Sequence, residues 1–172
     1  MIIIICIVLA IFCFVMVGKM GKNDRNRLEY FKKTNTDLYN KYKDAFDSYP
    51  SDYSGVKLTV EMVESRLLPG EVIHHSYSLP RFYNKDGNLF VLTDKRLIYA
   101  AFKLSKREIK SIPYNKIENI DITSKTIGAD LKVKSKEEKV EIYFNKFHQQ
   151  YLNNFYEMLT EKQLNQSSKA EE

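Results

Sequence analysis

The chain has 172 residues, enough for one modest domain with appendages, and carries a net charge of +5. Its aromatic residues are twelve Tyr and ten Phe, without any Trp. The two cysteines, Cys6 and Cys13, both lie in an apolar block at the start of the chain, so no disulfide framework or zinc ligand set can be built from them.

The first element is an uncharged run from Met1 to Gly18. A helix of that length is about 27 Å long, close to the ~30 Å hydrocarbon core of a bilayer. A cleaved signal peptide would need a positive segment before the run and a small-x-small site after it, and both are missing. A lipoprotein signal also fits badly, because Phe12 stands before Cys13 where a small residue is expected. The run therefore predicts an uncleaved transmembrane anchor at residues 1–18.

Basic residues crowd the side of the anchor that leads into the rest of the chain. They are Lys19, Lys22, Arg25, Arg27, Lys32 and Lys33. Because basic flanks are retained on the cytoplasmic side, we expect a single-pass protein of the cell membrane with its N-terminus outside and its domain in the cytoplasm. Basic residues beside an anionic leaflet also gain about 1 kcal/mol each.

A segment of mixed charge at residues 19–49 follows the anchor. Its apolar residues recur at helical spacings and are Leu28, Phe31, Leu38, Tyr42 and Ala45. This spacing predicts an amphipathic juxtamembrane helix that ends at Pro50. Two interpretations stay open: the helix lies along the membrane or stands as a stalk, or its apolar stripe packs on the domain that follows.

The next segment predicts a linker and a short helix. Turn-forming residues at 50–57 indicate a turn-rich linker. The pattern over Thr59–Leu67 predicts a helix with Thr59 as its N-cap and a firm stop at Pro69-Gly70. Beyond this stop the hydrophobic period changes from helical to two, which marks the start of a β region.

Short apolar or alternating runs predict about seven strands at spacings of roughly ten residues. They lie in VIHHSYSL, NLFVLT, RLIYAAF, residues 108–112, NIDIT, ADLKVKS and KVEIYF. Alternation in the first run places Ile73, His75, Tyr77 and Leu79 on one face. Asp86-Gly87 supplies the residues that a hairpin turn requires between the first two strands.

The chain ends with a helical pattern and a polar tail. The apolar stripe of this helix holds Phe147, Tyr151, Phe155, Met158 and Leu159. The polar residues 162–172 predict a disordered tail.

Four stretches together resemble a known family. They are LPGEVI, NLFVLTDKRLIYAAF, IKSIPYNKIENIDI and LKVKSKEEKVEIYF. With the closing helix they are similar to bacterial pleckstrin-homology (PH)-like domains, including the YokE-like group, and to the related GRAM domains, over about Leu68 to Thr160. The first hairpin, PRFYNKDG, departs from the family pattern. The resemblance implies a mainly β fold with α: a seven-stranded, antiparallel, bent sheet or barrel capped by a C-terminal helix.

In such a domain LFVLTDKRLIYAAF would be the central hairpin, and both of its faces are apolar. Phe90 and Leu92 fall on one face, whereas Leu89 and Val91 fall on the other. Barrel strands of this kind need cover outside as well as inside. The juxtamembrane helix, the Thr59–Leu67 helix or a second copy of the chain are candidates for that cover.

The patterns set a domain organisation. It comprises an anchor (1–18), a juxtamembrane amphipathic helix (19–49), a linker (50–57), a PH-like domain (58–161) and a disordered tail (162–172). We expect residues 58–164 to fold without the anchor, and we place Ile98 inside the barrel.

The sequence carries none of the common catalytic or phosphate-binding motifs. His74 and His75 are adjacent on a predicted strand, so they point to opposite faces and cannot share a metal. His148 stands alone on the final helix. We therefore expect no enzyme, no cofactor, no metal and no small-molecule substrate.

Two binding hypotheses follow. Basic residues of the hairpins are candidate contacts for an anionic lipid or a partner: Arg81, Lys85, Lys95, Arg96, Lys103, Lys106, Arg107 and Lys110. In one hypothesis they bind anionic lipid head groups. In the other, which we prefer, the domain is a protein-interaction or oligomerisation module held at the membrane, because the spaced Lys/Arg motif of phosphoinositide-binding PH domains is missing. Mixed charges and the membrane tether argue against nucleic acid.

Overall fold

The computed structural model describes residues 22–48, 50–79, 89–103 and 106–169. The predicted anchor at residues 1–18, Lys19, and the first hairpin loop with Arg81 and Lys85 lie outside the described residues. Within the described ranges, no helix combines the length and the apolar character needed to cross a membrane.

Helices make up the first part of the described chain. They are α1 (residues 22–34), α2 (Thr36–Lys41), α3 (Lys43–Ser48), a 3-10 turn (Pro50–Asp52) and α4 (Tyr53–Glu64). The single helix predicted for residues 19–49 is thus interrupted at Asn35 and Tyr42, where the backbone leaves helical geometry. The predicted linker at 50–57 is also wrong, because it forms the 3-10 turn and the start of α4.

Helix α4 begins at Tyr53 and not at Thr59. Thr59 is a buried residue inside the helix, and its hydroxyl donates to the carbonyl oxygen of Val56 at 2.9 Å instead of capping. Val56, Val60 and Val63 are buried at helical spacing on the same stripe. Burial of this stripe outweighs the turn-forming residues that suggested a linker.

The seven strands within the described residues form two antiparallel sheets. The first has the order β1 (Ile73–Ser78), β2 (Leu89–Thr93), β3 (Arg96–Lys103) and β4 (Lys106–Pro113), and the second has the order β5 (Asn119–Lys125), β6 (Gly128–Lys134) and β7 (Lys139–Asn145). The predicted strand order is confirmed, as two sheets rather than one continuous sheet.

The closing helix α5 spans Gln149–Lys169 and covers one side of the space between the sheets. Its buried positions include Leu152 and Phe155, whereas Phe147 is 80% exposed. The predicted stripe is shifted because Phe147 belongs to a 3-10 turn that precedes α5. Residues 162–169 are helical and not a disordered tail, and the Gln163 side chain donates to a backbone carbonyl at 2.9 Å.

Two hydrophobic cores share the β2–β3 hairpin. The first lies between the two sheets and α5, and it contains Phe90 and Leu92. The second lies between the opposite face of the hairpin and the N-terminal helices, and it contains Leu89 and Val91. The predicted assignment of hairpin faces is confirmed. Ile98 is a correction: it pairs with Val91 across the hairpin and therefore packs in the second core, not inside the barrel.

The outer cover of the hairpin comes from this chain's own helices. The helical residues of the second core are Leu28, Phe31, Tyr39, Tyr42, Ala45, Phe46, Tyr53, Val56, Val60 and Val63. The apolar stripe of the juxtamembrane segment is therefore packed on the domain and is not available to lie against acyl chains. Helices α1–α4 form a third layer, which we call the helical layer.

A bulge in β1 changes which residues share a face. Ile73 and His75 pair with consecutive residues of β2, so His74 is an extra residue on β1. Ile73 packs against the second core, while Tyr77 and Leu79 belong to the first. The prediction that all four alternating residues share one face is wrong, because a one-residue shift reverses every side chain beyond it.

Candidate functional site

The motif that carries the family resemblance forms one hydrogen-bonded network around Glu71. Its carboxylate accepts from Arg96 Nε at 3.0 Å and from Arg96 Nη2 at 2.9 Å. It also accepts from the Thr93 hydroxyl at 2.7 Å and from the Leu68 backbone N–H at 2.8 Å. We call these four residues the Glu71 network. The Glu71 side chain is fully buried.

The Glu71 network holds a charge inside the protein. Burial by itself raises the pKa of Glu71, but the hydrogen bonds from Arg96, Leu68 and Thr93 and the Arg96 charge outweigh it and lower that pKa to about 2. Breaking one partner of such a pair is strongly destabilising, because the other charge is left buried and unpaired. Arg96, predicted as a contact for lipid or partner, is thus mainly a structural residue.

Two further motif residues join the same region. The Asp94 carboxylate accepts from the Val72 N–H at 3.0 Å, and the Asp94 N–H donates to the Val72 carbonyl at 2.9 Å. The buried Tyr114 hydroxyl donates to the Thr93 carbonyl at 2.9 Å. Together these bonds fasten the β2–β3 turn to the start of β1 and to the end of β4. The motif residues in this region therefore have structural roles: their hydrogen bonds stabilise the fold.

The other predicted hairpin contacts do not converge. Lys95 is exposed at the β2–β3 turn, and Lys106 and Arg107 are exposed at the start of β4, beside the end of β3 where Lys103 lies. Strand β3 has eight residues, which places its two turns about 23 Å apart. One head group cannot contact both ends of that strand.

Lys110 is the remaining predicted contact, and it is already engaged. Its ammonium lies 2.8 Å from the Glu108 carboxylate and donates to the Lys139 carbonyl at 3.0 Å. Because Lys139 begins β7, this bond joins the two sheets. Lys110 therefore has a structural role as well.

The basic flank of the anchor is divided between exposed and engaged side chains. Lys22, Arg25 and Lys33 are exposed on α1. Arg27 donates to the Ser54 hydroxyl of α4 at 3.1 Å, and Lys32 donates to a carboxylate of its own helix at 3.0 Å. Of the five basic residues of this flank that the structure describes, three thus remain open to an outside partner.

Burial favours the neutral form of two partly buried histidines, His75 and His148. Burial lowers the pKa of His75, and the nearby carboxylate of Asp44, 3.2 Å from His75 Nδ1, only partly offsets it. Burial also lowers the pKa of His148, whose Nδ1 lies 2.6 Å from the Tyr77 hydroxyl. Among the described residues no group of three or more His, Cys, Asp or Glu side chains is arranged to hold a metal.

A groove of about 520 Å³ lies between α3, β1 and α5. Its lining includes the carboxylates of Asp44, Asp47 and Glu157 and the rings of Tyr77 and Tyr151, and no Lys or Arg of the described ranges contributes to it. The two tyrosine rings are stacked, with centres 4.8 Å apart, and Tyr151 is 47% exposed. We call this the aromatic–acidic groove.

Helix α3 forms one wall of the groove and also protects the edge of the sheet. The Ser48 hydroxyl accepts from the Ser78 N–H at 3.3 Å and lies 3.2 Å from the Ser78 carbonyl. The Ala45 N–H donates to the Ser76 hydroxyl at 3.3 Å. Helix α3 thus engages the backbone of Ser78 and lies against the open edge of β1, so a partner in the groove is expected to bind side chains rather than add a strand.

A second cavity, of about 360 Å³, lies where α4 ends against β3 and β4. Arg66, Leu68, Arg96, Ile98, Ile109 and Ser111 contribute to its lining, together with Lys110. We call this the Arg66 pocket. Sequence reasoning missed Arg66 and Ser111, because their approach depends on the chain path after α4 and on the β3–β4 register, neither of which a linear pattern shows.

Comparison with known proteins places this fold in a family. A family model described as "Bacterial PH domain" matches residues 67–161. A solved DUF1696 family protein with a pleckstrin-homology domain from Shewanella loihica PV-4 is 20% identical, with 58% of this chain and 92% of that chain covered and a TM-score of 0.39.

A PH domain containing bacterial protein from Exiguobacterium sibiricum 255-15 is 18% identical, with 62% of this chain and 58% of that chain covered and a TM-score of 0.46. No curated protein matches the chain. Because the family match spans more than half of its residues, the chain belongs to the bacterial PH domain family.

Proposed function

We propose that this protein is a membrane-tethered, non-enzymatic interaction module that binds a partner protein in the aromatic–acidic groove. Residues 1–18 would hold it in the cell membrane, with the domain on the cytoplasmic side. Membership of the bacterial PH domain family supports an interaction module in general. The finer grouping with YokE-like proteins stays a prediction.

The composition of the groove is the observation that carries this proposal. The half-exposed ring of Tyr151, stacked on the buried ring of Tyr77, gives an apolar surface that also attracts cations, by about 0.5–2 kcal/mol per contact. Asp44 and Glu157 add negative charge at the sides, and Asp44 is 56% exposed. This chemistry is complementary to a partner segment that carries Lys or Arg beside apolar side chains.

The beginning of the chain supports the tether. The run at residues 1–18 is uncharged, and basic residues crowd the segment that follows it. Helix α1 is present from residue 22 and packs on the sheet through Leu28 and Phe31. A helix fixed to the domain so soon after the anchor would keep the groove close to the membrane, where partners in the same membrane are concentrated.

Direct binding of anionic lipid by the hairpin residues is the alternative function. Lys106 and Arg107 are exposed and favour it, but Lys95 lies at the far end of β3, and Arg96 and Lys110 bond to groups of the domain. The described part of the predicted set therefore gives weaker support to a lipid cradle than the groove gives to a protein partner.

Site-specific photo-crosslinking in native membranes tests the groove. A crosslinking amino acid at Asn154, which lines the groove, should give one defined adduct, whereas the same group at the exposed Asn165 should not. Glu157→Lys should abolish the adduct, and Glu161→Lys, on the same helix outside the groove lining, should leave it intact. Equal adducts from both positions, or insensitivity to Glu157→Lys, would exclude the groove as the docking site.

The membrane orientation requires a separate experiment. The full chain with a C-terminal tag should resist carbonate extraction, and protease added to intact cells should leave the tag in place. The tag should be lost once the cells are permeabilised. Loss of the tag from intact cells would reverse the proposed orientation without affecting the groove.

A further inference from the structure

The Arg66 pocket lies where the helical layer stops. By strand register, Ser111 of β4 lies opposite Ile98, and Ile109 lies opposite Ala100, so these β4 residues share the face that the helices cover on β2 and β3. The cover is incomplete here: Ile109 is partly buried, and Leu68 is 48% exposed. The pocket therefore has an apolar floor that is open to solvent.

One wall of the pocket carries a fixed hydrogen-bond donor. Two nitrogens of the Arg96 guanidinium are bound to Glu71, which fixes the plane of the group. The third, Nη1, lies 3.3 Å from the Ser111 hydroxyl, the longest of the bonds made by this group. Nη1 and the hydroxyl are thus placed together before any ligand arrives, and a guanidinium held this way is suited to phosphate or carboxylate oxygens.

Arg66 supplies a second guanidinium. It is exposed, and its side chain makes no hydrogen bond or ion pair with any other residue that the structure describes. The described lining of the pocket contains no carboxylate side chain. The charge of Arg96 is balanced by Glu71, so Arg66 leaves the pocket with an excess positive charge.

We propose that the Arg66 pocket binds a small anion that carries an apolar part, such as an alkyl phosphate. Arg66, Arg96 Nη1 and the Ser111 hydroxyl bind the anionic group, while Leu68 and Ile109 contact the apolar part. This inference does not depend on the anchor or on a partner in the aromatic–acidic groove. Arg66 and Ser111 are not among the hairpin or juxtamembrane residues that the sequence predicts as contacts.

Titration of the full chain in neutral detergent micelles tests the pocket, with backbone amide resonances of Ile109 and Ser111 as the readout. The probes are inorganic phosphate, butyl phosphate and butanol. Butyl phosphate should give saturable shifts at both amides and bind at least about fivefold more tightly than inorganic phosphate, because its alkyl group covers the apolar floor. Butanol should give no saturable shift.

Arg66→Gln should weaken butyl phosphate binding about tenfold, because it removes a charged donor without disturbing the fold. Ser111→Ala should weaken butyl phosphate binding less. Lys95→Gln, which removes an exposed charge at the β2–β3 turn outside the pocket, is the control and should leave the affinity unchanged. Unaltered affinity in Arg66→Gln, or equal affinity for butyl phosphate and butanol, would overturn the proposal.

Nanodiscs distinguish a lipid source of the anion from a soluble one. The full chain is placed in discs of phosphatidylcholine alone or with phosphatidylglycerol, and butyl phosphate binding is measured in each. Weaker binding in the phosphatidylglycerol discs would identify the lipid head group as the competing ligand, and equal binding would identify a soluble molecule. Absence of binding in both would contradict the proposal.

Discussion

The two sheets of this domain differ in what covers their outer faces. All five residues of β2 are buried, and the helical layer packs on the outer face of the β2–β3 hairpin. In β5, by contrast, only Ile120 is partly buried, and the remaining positions are exposed. A strand that is apolar on both faces therefore marks a third layer, whereas an alternating strand marks a face left to water.

The outer faces of the two sheets also differ in their charged residues. The outer surface of the three-stranded sheet carries cross-strand charges, with Lys132 3.5 Å and Lys139 3.1 Å from the Glu141 carboxylate. These exposed pairs contribute little to stability but keep that surface soluble. The outer face of the hairpin offers Leu89, Val91 and Ile98 instead, so it requires helices.

Truncation should give the largest effect. A chain that begins at Leu58 lacks α1–α3 and the first five residues of α4. It leaves the second core without most of its helical side, so it should show no cooperative unfolding by circular dichroism. This reverses the expectation, drawn from the sequence, that residues 58–164 fold alone. A chain that begins at Lys22 is the control and should unfold cooperatively. Equal transitions in the two would mean that the helical layer is dispensable.

Introduction of a carboxylate into each sheet gives the next largest effect. Ile98→Asp places a carboxylate at a position that is 1% exposed and should cost about 4 kcal/mol of unfolding free energy. Ile122→Asp, at a position 37% exposed in the other sheet, should cost about 0.5 kcal/mol or less. Urea unfolding of both variants measures the difference, and similar costs would show that the hairpin is not covered as described.

Loss of the Glu71 charge should rank third. The pKa of Glu71 falls from 4.5 to about 2 on folding, which corresponds to about 3 kcal/mol of stability at neutral pH. Glu71→Gln should lose a comparable amount, because Arg96 is left without its partner. Glu108→Gln, at an exposed carboxylate, is the matched control and should cost little. Equal losses of unfolding free energy in the two variants would show that the Glu71 network does not stabilise the fold more than an exposed ion pair does.

Patterns along a single strand predict some features of this fold and not others. Strand order and the two faces of the hairpin were predictable, because each follows from an alternation of apolar residues along one strand. Which face lies inside does not follow from that alternation, and the sequence therefore predicts the wrong core for Ile98. The His74 bulge was also hidden, since it depends on pairing with β2.

The candidate sites were harder to predict for the same reason. Glu71 and Arg96 are far apart in the chain and meet only when the β2–β3 turn reaches the start of β1. The aromatic–acidic groove likewise forms only when α3, β1 and α5 come together. Its Tyr77–Tyr151 stack therefore cannot be predicted from a pattern along the sequence. Basic hairpin residues were visible in the sequence, but their engagement within the fold was not.

The smallest expected effect is a dependence of stability on mildly acidic pH. Burial lowers the pKa of His75 and of His148 below the ordinary value of 6.5, so the unfolded chain binds protons more readily than the folded one. The free energy of unfolding should therefore be constant above about pH 7 and fall as the pH drops below 6.5. His75→Gln should reduce that slope in urea unfolding, and an unchanged slope would rule out this role for His75.

Native-state hydrogen exchange of the full chain in neutral micelles tests most directly whether the helical layer is part of the domain. We expect the amide of Val60, in α4, and the amide of Leu131, in β6, to exchange through openings whose free energies agree within about 1 kcal/mol. Such agreement would mean that the two cores unfold as one unit. Exchange of Val60 through an opening several kcal/mol smaller, with Leu131 still protected, would show that the helices detach from a sheet core that is stable without them.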